Sequence, residues 1–141
     1  MKIAFTTASG GMEDVVMPVF GRAPTFTIVE IEGKDVKATN IIENPAFNAS
    51  GGAGVQAAQL LINEGVKAVV SGNYGPNAAI ILKQAGIELY VGSGMKVRDA
   101  LNAYLSGTLT RFSTTSTGAG MGGGFGRRGG FGTGRGRGRG F

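Results

Sequence analysis

The chain has 141 residues, with 14 lysines and arginines against nine aspartates and glutamates, and it contains neither cysteine nor histidine. That length favours a single domain. The missing cysteines exclude disulfides, zinc–thiolate sites and thiol catalysis, and the missing histidines remove the commonest general base and metal ligand at neutral pH. No apolar run is long enough for a signal peptide or a membrane span, so we expect a soluble cytoplasmic protein.

The positive charge is confined to the C-terminal part of the chain. Residues 1–107 carry eight basic and nine acidic side chains, whereas residues 108–141 carry six arginines and no acid. The net charge of +5 is therefore a property of the tail and does not indicate a basic surface on the folded part.

The first half of the chain predicts three strands. A short apolar strand occupies residues 2–7, and a loop with glycine and proline follows it. Residues 25–32 alternate strictly, with Phe26 and Ile28 on one face and Val29 and Ile31 on the other. With the turn after them and residues 36–43, they predict a β-hairpin.

From residue 51 onwards the pattern alternates between helices and buried strands. Residues 51–65 predict a helix that ends at a glycine, residues 67–71 a buried strand, and residues 72–86 a second helix with proline in its first turn. Residues 87–92 predict another buried strand, and residues 97–107 an amphipathic helix closed by glycine.

This β-β-β-α-β-α-β-α order predicts a three-layer α/β domain over residues 1–107. Its mixed five-stranded sheet has a parallel part joined by right-handed crossovers and an antiparallel edge formed by the hairpin. Residues 108–117 read as a linker rich in serine and threonine. Residues 118–141 contain glycine, arginine and phenylalanine with too little apolar surface to form a core, so we expect a disordered tail.

Four glycine-rich segments are predicted at one edge of the sheet, beyond the carboxyl ends of the strands. Ligands of α/β sheets bind at that edge, and three of the segments enter helices whose backbone N–H groups attract anions. Arg22 would add a cationic clamp. Alternatively, the glycines serve only tight turns. The candidate residues are Ser9, Gly10, Gly11, Gly51, Gly52, Gly54, Gly72, Asn73, Gly75, Asn77, Gly92, Ser93 and Gly94.

The sequence offers little for catalysis, and we expect a protein that is not an enzyme. A nucleophilic serine needs an activating base, and the chain has no histidine and no well-placed lysine. Glu13 and Asp14 are adjacent, so their side chains diverge and do not form a catalytic pair. Neither a dinucleotide-binding fingerprint nor a P-loop is present.

Four motifs in order resemble the dinitrogenase iron–molybdenum cofactor biosynthesis family. They are FGRAP at 20–24, GAGVQAAQLL at 52–61, SGNYGPNAA at 71–79 and VRDALNAYLSG at 97–107. The resemblance implies a ribonuclease-H-like fold without ribonuclease catalysis, and a protein that carries, inserts or stores iron–sulfur or molybdenum/iron–sulfur clusters. It also implies a cluster-binding surface in which Phe20, Gly21 and Arg22 face the glycine-rich loops.

One departure from the family concerns metal ligands. Many members carry a histidine or cysteine near the FGR loop, whereas this chain has neither. The remaining side-chain candidates are the thioethers of Met12, Met17 and Met95 and the carboxylates of Glu13 and Asp14. Methionine is a weak ligand. We therefore favour binding of an anionic sulfide cluster by N–H groups and arginine, without cysteine or histidine ligation.

The tail leaves alternatives open. Its arginines would bind polyanions, either metal–sulfide clusters or particles or nucleic acid, since phenylalanines interleaved with arginines are typical of RNA-binding segments. Self-association through the tail is another possibility. A third reading is a regulatory or structural homologue that has lost its ligand. The tail candidates are Arg127, Arg128, Arg135, Arg137 and Arg139.

Overall fold

The computed structural model describes residues 1–47 and 52–112. Strands and helices follow one another in the predicted order, with one further strand at the end. The strands are β1 (Lys2–Thr7), β2 (Thr25–Glu32), β3 (Asp35–Glu43), β4 (Ala68–Ser71), β5 (Glu88–Val91) and β6 (Thr110–Arg111), and the helices are α1 (Ala53–Glu64), α2 (Pro76–Gln84) and α3 (Val97–Ser106).

A single mixed sheet runs in the order β3-β2-β1-β4-β5-β6. β1, β4 and β5 are parallel to one another, whereas β2, β3 and β6 each pair antiparallel with their neighbours. β3 and β1 run in the same direction because β2 lies antiparallel between them. The hairpin therefore extends the parallel centre as an antiparallel edge, as predicted.

The predicted count of five strands is wrong, because the described part of the sheet contains six. β6 pairs with β5 through Tyr90↔Arg111 and Val91↔Thr110, and it lies within the segment predicted as a linker. Two residues are too few to produce an alternating pattern. Tertiary contacts hold them instead: the Phe112 N–H donates to Leu89 O at 2.9 Å, and the Arg111 guanidinium lies over the Tyr90 ring.

The core has two parts, one on each face of the sheet, which makes the domain three-layered. On one face α1 and α2 pack against Ala4, Phe26 and Ile28, and on the other α3 packs against a second cluster that includes Val29 and Ile31. The alternation predicted for residues 25–32 is thereby confirmed. This is the three-layer, ribonuclease-H-like arrangement that the resemblance implied.

The topology brings the predicted glycine-rich segments to one edge of the sheet. β1, β3, β4 and β5 all end there, and all three helices begin there. The loop after β1 crosses this edge and forms a short 3-10 turn at Phe20–Arg22. Among the helices of the described ranges, none is long and apolar enough to cross a membrane.

Candidate anion-binding site

The glycine-rich loop after β1 is organised around a carboxylate of its own. Asp14 Oδ2 accepts the N–H groups of Ala8 at 2.9 Å and Gly10 at 2.8 Å, and Oδ1 accepts that of Val15 at 2.8 Å. Partial burial alone would raise the pKa of Asp14, but backbone N–H groups, including that of Ser9, lower it below its ordinary value. The anion-binding groups of this loop thus already hold an internal anion.

Threonines of β1 and β2 fix the other half of the same loop. The Gly11 N–H donates to Thr27 Oγ1 at 3.0 Å, and Thr7 Oγ1 lies 3.0 Å from Thr27 Oγ1 and 2.6 Å from Thr25 Oγ1. Thr25 Oγ1 also donates to Ala8 O at 3.1 Å, so each of the three hydroxyls has hydrogen-bond partners within the protein. The loop after β1 is therefore held by its own side chains and leaves few donors for a ligand.

The first loop also covers the beginning of α3. The N–H of Val97 donates to Asp14 O at 2.8 Å, and the N–H of Arg98 donates to Met12 O at 2.9 Å. These two amides are among the four that a helix N-terminus leaves without an intrahelical acceptor. Backbone carbonyls thus occupy the first turn of α3, which reduces its capacity to bind an external anion.

The loop after β5 is tied down in a similar way. The N–H of Gly92 donates to Ser71 O at 2.9 Å and that of Gly94 to Val16 O at 3.0 Å, while Met95 O accepts the N–H of Val16 at 2.8 Å. Both glycines on this loop therefore contribute their N–H groups to the framework. Ser93, between them, is exposed.

The loop after β4 is packed directly against the loop after β1. A Cβ atom on Gly72 would lie 2.5 Å from Pro18 O, so a glycine is required at this close approach. The Gly72 N–H donates to Met17 O at 3.2 Å and the Asn73 N–H to Pro18 O at 2.7 Å, while Asn73 O accepts the Phe20 N–H at 2.9 Å. These contacts fix the entry to the FGR turn.

The FGR turn itself packs against the beginning of α1. The Phe20 ring is fully buried, and a Cβ atom on Gly21 would lie 2.8 Å from the Gly54 nitrogen. Arg22 is exposed at the end of the turn, where its Nη1 donates to Phe47 O at 3.2 Å. The close contact at Gly21 therefore brings the exposed arginine next to the α1 N-terminus.

Asn44 is a buried residue that was not among the predicted site residues. Its Nδ2 donates to Ala23 O at 2.8 Å and Gly21 O at 3.3 Å, and its Oδ1 accepts the Ala46 N–H at 3.0 Å. The side chain thus joins the FGR turn to the segment after β3. In the sequence, Asn44 before a proline resembles any strand-ending pair, so no local signal distinguishes this role.

The N-termini of α1 and α2 lie side by side and have no side-chain caps. Their N-cap residues are Gly52 and Gly75. Intrahelical bonding begins only with Gln56, whose N–H donates to Gly52 O, and Ala79, whose N–H donates to Gly75 O, both at 3.0 Å. Among the described residues, no acceptor takes the preceding N–H groups of either first turn.

A cavity of about 190 Å³ opens between these two helix ends. Helix N-termini carry a partial positive charge of about +0.5 each, so the two ends together favour an anion. The lining residues are Gly52, Ala53, Gly54, Val55, Gly75, Pro76, Asn77 and Ala78.

The candidate side-chain ligands of the loops after β1 and β5 have contacts of their own. Met12 and Met95 pack against the core on the α3 face, and Met17 is half-buried. Glu13 forms exposed ion pairs with Lys96 at 3.3 Å and with Arg98. Within residues 1–47 and 52–112, no group of three or more acidic, histidine or cysteine residues is placed to hold a metal ion.

Several predicted site residues lie outside the described residues. They are Gly51, in the segment before α1, and the tail residues Arg127, Arg128, Arg135, Arg137 and Arg139. The predicted tail and the end of the predicted linker also lie outside the described residues.

The fold and this edge define a class of small α/β domain whose candidate site consists of backbone amides instead of side-chain ligands. The family model described as dinitrogenase iron-molybdenum cofactor matches residues 1–107, and the chain belongs to that family. The resemblance inferred from the four motifs is therefore confirmed.

Several proteins are similar to this chain in sequence or in structure. An uncharacterized protein of Methanocaldococcus jannaschii is 40% identical over 95 residues, which are 67% of this chain and 80% of the relative. The apo form of the orange protein from Desulfovibrio gigas superposes with a TM-score of 0.73 at 33% identity, covering 79% of this chain and 92% of that one. A putative NifB protein from Thermotoga has a TM-score of 0.69 at 29% identity, covering 82% and 96%.

Proposed function

We propose that this protein binds an anionic metal–sulfur cluster and carries or stores it without catalysing a reaction. The cluster is either an iron–sulfur or a molybdenum/iron–sulfur cluster. The observation that carries the proposal is the cavity between α1 and α2, in which two uncapped helix N-termini meet. Membership of the iron–molybdenum cofactor family makes a cluster the best candidate for the anion. In this proposal the cluster is cargo.

The charge at this end of the domain suits an anion that is held without covalent bonds. Two helix ends supply N–H donors and roughly one unit of positive charge. The FGR turn packs against one of them and brings the Arg22 guanidinium to the same edge. Since the chain has no cysteine or histidine, the sulfide sulfur atoms of the cluster would be held by hydrogen bonds and charge.

The site in this proposal includes fewer residues than the glycine-rich loops predicted from the sequence. Gly10, Gly92, Gly94 and Gly72 use their N–H groups within the framework. We therefore assign the anion to Gly52, Gly54, Gly75 and Asn77, with Arg22 beside them. The arginines of the tail would add long-range attraction for the same polyanion.

A charge placed at the N-cap of α2 tests this location. In Gly75→Asp the carboxylate would cap the free amides and occupy the cavity with negative charge. Gly75 has φ −65° and ψ 153°, and no atom lies within 4 Å of an added Cβ, so the fold should tolerate the change. We expect affinity for tetrathiomolybdate, measured anaerobically on the full chain, to fall at least tenfold, about 1.4 kcal/mol.

Two variants control for the substitution. Lys96→Asp places a carboxylate at the N-cap of α3, whose first amides are already bonded, and should leave the affinity nearly unchanged. Gly75→Asn caps the same amides without charge and should cause a smaller loss. Equal binding by wild type and Gly75→Asp would exclude the α1–α2 cavity, and an absence of binding by the wild type to tetrathiomolybdate or to iron with sulfide would refute cluster binding.

The same variants separate the cluster proposal from RNA binding by the tail. Filter binding of single-stranded RNA to the full chain would be insensitive to Gly75→Asp if the tail arginines bind it. RNA affinity at near-physiological salt together with no metal–sulfur binding would favour the nucleic-acid alternative.

A further inference from the structure

A second cavity lies on the outer side of α2 and is predominantly apolar. It has a volume of about 330 Å³ and is lined by Tyr74, Pro76, Ala79, Ile80 and Phe112. None of these side chains is charged, and Ile80 is 54% exposed. A concave surface with a mostly apolar and aromatic lining is typical of a site that binds an apolar group.

The second cavity continues a row of aromatic rings that begins in the core. Ring centroids are 5.5 Å apart for Phe26–Phe20 and for Phe20–Tyr74, and 4.7 Å apart for Tyr74–Phe112. The Tyr74 hydroxyl donates to Tyr90 O at 2.7 Å, which fixes its ring. Aromatic pairs at such distances are favourable beyond the area that they bury. An aromatic ring is therefore the occupant that fits the end of this row.

The chain itself supplies such a ring. Phe112, which lines the second cavity, is the last described residue, and 29 residues follow it in the sequence. Their aromatic residues are Phe125, Phe131 and Phe141. The thirteen residues from Phe112 to Phe125 give a glycine-rich chain a root-mean-square reach of roughly 20 Å, which corresponds to an effective concentration in the millimolar range.

We propose that Phe125 of the same chain docks in the second cavity and places Arg127 and Arg128 beside the α1–α2 cavity. Pro76 lines both cavities, so a ring in one lies next to the mouth of the other. Phe125 is followed by glycine and two arginines, and the same Phe-Gly-Arg order occurs at the FGR turn, where Phe20 belongs to the aromatic row. Docking is independent of the proposed function, whereas the effect of the two arginines on an anion rests on it.

A single tryptophan reports the docking directly, because the chain contains none. In the full-length variant Phe125→Trp we expect blue-shifted emission and weaker acrylamide quenching than in Phe141→Trp, the matched tail control. Adding Ile80→Glu should shift the Phe125→Trp emission to that of the control. Since Ile80 is mostly exposed, this change should leave the fold intact, which circular dichroism checks. The shift should persist in 1 M salt, because burial of a ring is not screened.

Each contrary outcome overturns a defined part of the proposal. Identical emission from Phe125→Trp and Phe141→Trp, or no response to Ile80→Glu, would exclude docking in the second cavity. A blue shift found only for Phe131→Trp would reject Phe125 as the docking residue. A blue shift that disappears on dilution would show docking between two molecules and not within one. If docking is seen but Arg127→Gln with Arg128→Gln leaves tetrathiomolybdate affinity unchanged, the positioning of the arginines is refuted and the docking stands.

Discussion

The edge of the sheet where the parallel strands end has two sides that are equally rich in glycine and differ in what their backbone N–H groups contact. On the β1 and β5 side, carbonyls and the Asp14 carboxylate accept the N–H groups of Gly10, Gly92 and Gly94. On the α1 and α2 side, the helices begin at Gly52 and Gly75 without side-chain caps. Glycine content alone does not distinguish a framework loop from a candidate binding loop.

The difference has a simple physical origin. The loop after β1 is long enough to fold back over the beginning of α3, so its own carbonyls reach the amides of that helix. The short loop between β4 and α2 is held against Pro18, and no such segment of the described chain covers α2. An uncapped helix end costs stability that a cap would supply, and ligand-binding sites commonly accept that cost.

The largest expected effect comes from substitution of Gly72. In Gly72→Ser the new Cβ would lie 2.5 Å from Pro18 O and 2.7 Å from Pro18 Cα, and these backbone atoms cannot move without displacing the loop. We expect the free energy of unfolding, measured with urea, to fall by about 3 kcal/mol. The same substitution at Gly75, where a Cβ has open space, should change it by less than about 0.5 kcal/mol. Similar losses at both sites would contradict the comparison.

An intermediate effect is expected for Asp14→Asn, which removes the internal anion of the β1 side. The pKa of Asp14 is lower in the folded protein than its ordinary value near 3.9. The carboxylate therefore contributes fully to the free energy of unfolding above that ordinary value, and this contribution is lost as the pH falls through the folded pKa. At pH 7 we expect the variant to lose about 1 kcal/mol, since the carboxylate is only partly buried. Urea unfolding as a function of pH should show the two proteins converging as the pH falls below the folded pKa of Asp14. A constant difference at every pH would argue against the charge as the cause.

The smallest expected effect is that of Glu13→Gln on the same side. Its ion pairs with Lys96 and Arg98 are exposed, and such pairs contribute about 0–1 kcal/mol. The difference from wild type in urea unfolding should disappear at 1 M salt, where screening acts over about 3 Å. A loss above 2 kcal/mol, or one insensitive to salt, would mean that Glu13 holds the loop by more than surface charge.

Much of the fold was predictable from local pattern, and the exceptions are instructive. Strict alternation over residues 25–32 and glycines after helices gave the hairpin and the helix ends correctly. β6 was not predictable, because Thr110–Arg111 owes its strand conformation to pairing with β5 and to the contact of Phe112 with Tyr74. The role of Asn44 was likewise hidden, since its three hydrogen-bond partners are defined only once the FGR turn and β3 are adjacent.

The sequence by itself determined the family, the three-layer α/β class and the edge of the sheet at which the glycine-rich loops lie. Those depend on periodicity, motif order and the rule that parallel strands end at one edge, all of which are local or combinatorial properties of the chain. Only the tertiary structure decided which glycine-rich loops retain donors for an anion. A backbone N–H group is available or occupied according to whether a carbonyl from elsewhere in the chain reaches it, and that depends on contacts between loops that the sequence does not encode locally.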